Sequence, residues 1–81
     1  MKLYHIHQND RKGYDTYSDM VVCASSEDEA RHIHPVVGGW EYKEDDWKCW
    51  ARDPEMVSVK YIGEAAVNLE AGIVCSSYHA G

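Results

Sequence analysis

Met20-Val21-Val22-Cys23-Ala24-Ser25-Ser26-Glu27-Asp28-Glu29-Ala30-Arg31-His32-Ile33-His34-Pro35 passes from one kind of secondary structure to another, and that passage sets the fold class. The run from Met20 to Ala24 is apolar on both faces, as in a strand from the middle of a sheet. Ser26 followed by Glu29 is a capping-box pattern, in which each side chain can satisfy a backbone N–H at the other's position. Glu27, Asp28 and Glu29 fill a first helical turn, while Arg31 and His32 lie in the last. That order matches the helix dipole at both ends. Ala30 and Ile33 fall on one side, to face a sheet, and Pro35 prevents continuation. A helix is therefore expected over roughly Glu27 to Ile33, short enough to depend on packing.

Working outward, Lys2 to Gln8 reads as a first strand that stops at the turn-rich Asn9-Asp10-Arg11-Lys12-Gly13. A second strand from about Tyr14 to Ala24 follows, and the short polar link predicts an antiparallel hairpin. Beyond the helix, Gly38-Gly39 is a break, part of Trp47 to Trp50 is a candidate strand, and Asp53-Pro54 signals a turn. Val57, Val59 and Tyr61 alternate with Ser58 and Lys60, which predicts a half-buried strand over Met56 to Ile62, ended by Gly63. Glu64 to Ala71 is Ala-rich and reads as a short helix closed by Gly72. Ile73 to Tyr78 is a final strand, apolar on both faces around Val74-Cys75. The expected fold is a single α+β domain over residues 1–81, a single-layer antiparallel sheet of four to five strands packed on one main helix. Its order is β-β-α-(β)-β-short α-β.

A chain of 81 residues hides only roughly 60–65% of its unfolded surface, which leaves little material for a deep catalytic pocket. Fourteen carboxylates against eight Lys and Arg give a net charge of −6. That balance disfavours direct nucleic-acid binding and adsorption to anionic membranes, both of which rely on cationic side chains. A basic protein partner or plain solubility accounts for it. Met1 to Asp10 has neither the apolar core nor the cleavage site of a signal peptide, and no stretch is long enough to cross a membrane. Three unpaired cysteines fit a reduced, cytoplasmic setting. A homodimer would add core to so small a domain.

No motif demands a cofactor. His5 and His7 sit two apart and share one face of a strand. With His32, His34, Cys49 and His79 they form the candidate set for a small metal- or thiol-dependent enzyme. Zinc sites, however, normally carry closely spaced ligand pairs, and Cys23, Cys49 and Cys75 stand 26 residues apart. Cys23 and Cys75 read as small core residues of central strands. A nucleotide-binding role would need Arg11, Lys12, Arg31 or Lys60 gathered at an interface. The most unusual segment is Trp40 to Trp50, where all three tryptophans are interleaved with four acids. Tryptophan and tyrosine dominate interface hot spots, and acids steer a basic partner. Trp40, Glu41, Tyr42, Glu44, Asp45, Asp46, Trp47 and Trp50 are therefore the expected partner-binding residues. The plain alternative is that the tryptophans fold back over one sheet face.

Gly13-Tyr14-Asp15-Thr16-Tyr17, Ala30-Arg31 with Ile33-His34-Pro35, Val59-Lys60-Tyr61-Ile62-Gly63-Glu64-Ala65 and Ser76-Ser77-Tyr78-His79-Ala80-Gly81 together span nearly the whole chain. On these segments the chain resembles a family of short, uncharacterised proteins encoded by bacteriophages and prophages. The resemblance implies a non-enzymatic accessory protein of the bacterial cytoplasm that inhibits a host or defence protein, as anti-CRISPR proteins do. Its partner would be a bacterial protein or nuclease complex with a basic surface.

Overall fold

In a computed structural model of the chain, residues 1–11, 15–35, 49–51 and 53–79 are described. Four strands, β1 (Lys2–Gln8), β2 (Thr16–Ala24), β3 (Val57–Glu64) and β4 (Gly72–His79), form one sheet in the order β3-β1-β2-β4. Every neighbouring pair is antiparallel. Among the described residues one α-helix, α1 (Glu27–Arg31), follows β2, and a 3-10 turn at Pro54–Met56 leads into β3.

Directly opposed residues of antiparallel strands share a face, so the register sorts the side chains into two layers. Tyr4, Ile6 and Gln8 of β1 stand with Val22 and Met20 of β2 and with Tyr61, Val59 and Val57 of β3. That face is covered: Ala30, Ile33, Trp50 and Ala51 pack on it and close the core. Ile6, Met20 and Val22 are fully buried and contribute roughly 1.5–3 kcal/mol each. Gln8 is the polar member of this layer. Its amide nitrogen donates to the carbonyls of Arg11 at 2.6 Å and Tyr17 at 2.7 Å, while its oxygen accepts from the Arg11 N–H at 2.8 Å. Every polar atom of that amide is engaged, as burial requires. The Tyr17 N–H donates to the Cys49 carbonyl at 2.7 Å, which ties residues 49–51 to the start of β2 and sets Trp50 beneath the sheet.

The hairpin of β1 and β2 and the strands β3 and β4 follow the sequence reading, with ends moved by one or two residues. The helical part does not. α1 is five residues long, so the sheet rather than a main helix is the body of the fold. Ser26 caps it, accepting from the Glu29 N–H at 3.2 Å, but the return bond of the capping box is displaced. The Glu29 carboxylate takes the Ser25 hydroxyl at 2.7 Å instead. Ser26→Ala is expected to lower stability by about 1 kcal/mol, read as a lower urea midpoint at unchanged m-value.

The short helix expected over Glu64 to Ala71 does not form. β3 continues through Gly63 to Glu64, and the Ala65 N–H is taken by the Met1 carbonyl at 3.0 Å. Gly63 does not end the strand. Leu3 pairs with Gly63 and Tyr4 with Tyr61, so Ile62 is the extra residue of a bulge, and Gly63 passes it at φ +154°. Cys23 is buried as expected, whereas Cys75 is exposed, because β4 is an edge strand and not a central one. Cys49 and Trp50 are not in a strand; Trp47 and Lys48 lie outside the described residues.

Candidate functional site

The second face of the sheet carries no comparable layer among the described residues, and the register composes it row by row. Lys60, His5, Val21 and Cys75 stand in one row across β3, β1, β2 and β4. Ser58, His7, Asp19 and Ser77 form the next. The period of two brings both imidazoles to this side of β1, as their spacing predicts. What the spacing did not reveal is Asp19, which the hairpin register sets opposite His7 and diagonal to His5.

One oxygen of Asp19 serves both rings: His5 Nε2 lies 2.9 Å and His7 Nδ1 2.8 Å from Oδ1. An ionised carboxylate only accepts, so this geometry requires the proton of His5 on Nε2 and that of His7 on Nδ1. Partial burial by itself would raise the Asp19 carboxyl. Hydrogen bonds from Ser18, His7 and His5, with the charge of His7, outweigh it and hold the carboxyl below its ordinary value. The cluster thus keeps a carboxylate ionised between two imidazoles on this face of the sheet.

Beside it lies a shallow cavity of about 240 Å³, lined by His5, Asp19, Met20, Val21 and the β4 residues Cys75, Ser76 and Ser77. Small-molecule pockets usually enclose roughly 300–1,000 Å³, so this depression suits a side chain of another macromolecule better than a whole ligand. Among the described residues, the hydrogen bonds of the two imidazoles run to Asp19 and not to the cavity's thiol or hydroxyls. No activated nucleophile is assembled there. Among the same residues, no group of three His, Cys, Asp or Glu side chains is placed to hold a metal ion.

The other candidates are dispersed. His32 bonds the Asp28 carbonyl at 2.8 Å on α1, and His34 is fully buried. Cys49 is half-buried, and burial pushes its thiol up, away from the thiolate a nucleophile needs. The Arg31 guanidinium donates to the carbonyls of Pro54 and Val57 at 3.2 and 2.8 Å, and Lys12 lies outside the described residues. Of the expected partner-binding residues, Trp40, Glu41, Tyr42, Glu44, Asp45, Asp46 and Trp47 lie outside the described residues. Trp50 is corrected: it is 0% exposed, because residues 49–51 are bonded to β2 and pack under the sheet, so it is a core residue and not a surface anchor.

Comparison with protein-family models, with curated proteins and with solved structures finds no match to this chain. Among the described residues no helix is long and apolar enough to cross a membrane.

Proposed function

We propose that this protein is a non-catalytic binding protein that docks on a bacterial host or defence protein and inhibits it. The observation that supports this reading is the second sheet face around His5, His7 and Asp19, on which no layer packs among the described residues. That face carries polar groups held in place by Asp19, beside a shallow cavity of a size to take a partner's side chain. The −6 charge favours a partner whose own surface is basic, such as a nuclease's nucleic-acid-binding groove. The resemblance to phage-encoded proteins supplies the setting, the cytoplasm of a bacterial host. Glu44, Asp45 and Asp46, with Trp40, Glu41, Tyr42 and Trp47, remain the proposed steering and anchoring residues.

The test is capture of partners by the tagged protein from bacterial lysate at low and high salt, with the triple variant Glu44→Lys, Asp45→Lys, Asp46→Lys alongside. One stoichiometric partner is expected, weakened by salt. The triple reversal should weaken it about tenfold or more, since each exposed ion pair contributes up to about 1 kcal/mol. Binding that the triple variant retains in full would remove the acidic stretch from the interface. A bead with no stoichiometric partner at either salt would sink the inhibitor reading.

A further inference from the structure

The two edges of the sheet are guarded differently. β3 carries Lys60 and Glu64, and the Arg31 guanidinium covers the carbonyls of Pro54 and Val57 at its start. Charge and a covering side chain are the ordinary devices that keep an edge strand from pairing with a stranger. β4 has neither charge nor a covering side chain among the described residues; its irregularity is a bulge at Val74, between Ile73 and Cys75, which pair with the adjacent Val22 and Val21. Gly72-Ile73-Val74-Cys75-Ser76-Ser77-Tyr78-His79 contains no Asp, Glu, Lys, Arg or Pro. Ile73, Val74 and Tyr78 are 40%, 47% and 47% exposed. Its inner edge pairs with β2, and among the described residues no strand pairs with its outer edge.

We propose that β4 is the contact through which two copies of this chain associate, strand against strand and antiparallel, joining two four-stranded sheets into one of eight strands. The charge distribution selects a second copy as the occupant. Two chains that each carry −6 repel wherever their acids meet, and Ala71 to Gly81 is the longest stretch free of charged residues. It is therefore where like can approach like. An antiparallel strand pair is also self-complementary about a two-fold axis and closes at two copies, so the exposed edge is used up and no filament grows. For eight paired residues the axis falls between Cys75 and Ser76. Val74 then stands opposite the second copy's Ser77, and the cavities beside Cys75 and Ser77 lie adjacent across the axis. The inference is independent of the identity of any host partner.

Sedimentation of the purified chain over a dilution series is the test. The wild type is expected to reach twice the 9.2 kDa of one chain. The double variant Val74→Lys, Ser77→Lys sets like charges opposite each other and should remain at the single-chain mass with an unchanged far-UV spectrum. Val74→Glu, Ser77→Glu should do the same. An equimolar mixture of the two should recover the doubled mass, a rescue that a merely unfolded variant would not give. Hydrogen exchange of the wild type supplies the second readout: β4 amides should slow about tenfold as the chain is concentrated while β3 amides do not. A wild type at the single-chain mass throughout overturns the proposal. So does a dimer that survives the Lys pair, or one whose β4 amides exchange alike at every concentration.

Discussion

Trp50→Ala is expected to lower the free energy of unfolding by about 3–5 kcal/mol. Among the described residues Trp50 is the largest fully buried side chain, and Ala at its place forfeits the indole's contacts and leaves a cavity that the short 49–51 segment can only partly close. An 81-residue domain has about 4–12 kcal/mol of stability in total. The variant should therefore be largely unfolded at 37 °C or melt far below the wild type. Trp50→Phe should be much milder. The indole N–H has no hydrogen-bond partner among the described residues, so removing it costs no bond and relieves a buried donor. Urea unfolding followed by far-UV circular dichroism reads both variants. A loss under about 0.5 kcal/mol for the alanine variant, the size usual at surfaces, would return Trp50 to the surface and to the partner-binding set.

Acidification should destabilise the fold well before its carboxylates titrate. His34 is fully buried, and burial lowers it from the usual 6.5 to about 4. Between those values the unfolded chain takes up a proton that the folded chain refuses. Stability is whole above pH 6.5 and falls as pH drops towards 4, by about 3 kcal/mol over the window. Asp19 adds to the loss only lower down, because its depressed carboxyl releases its partners below the ordinary carboxylate value of 3.8. Unfolding free energies at pH 7, 5.5 and 4.5 in wild type and His34→Gln test this. The variant, unable to titrate there, should start lower and show a shallower slope. Equal slopes would place the acid sensitivity elsewhere.

Much of the sheet was legible in the sequence because each strand carries its own pattern. Val57, Val59 and Tyr61 alternate, and the paired histidines of β1 point one way. Strand order was not legible, since an apolar run such as Val74-Cys75 looks the same at an edge as at the centre. The helix expected over Glu64 to Ala71 rested on its alanines and on Gly72 as a cap. With no apolar stripe to bury and a costly first turn, the segment gave way to the Ala65 bond with Met1. Asp19 was missed because its partnership depends on hairpin register, and the polar loop between Gln8 and Thr16 does not fix register by composition. Trp50 was misjudged by association with its acidic neighbours, although its environment is set by the bond between Tyr17 and Cys49.

Gln8 closes the mouth of the β1–β2 hairpin with three bonds from a single side chain. Such a hairpin is latched at its base. One amide spans the end of β1 and the start of β2, so a single substitution, Gln8→Ala, would unfasten both strands together and leave the carbonyls of Arg11 and Tyr17 to find other donors.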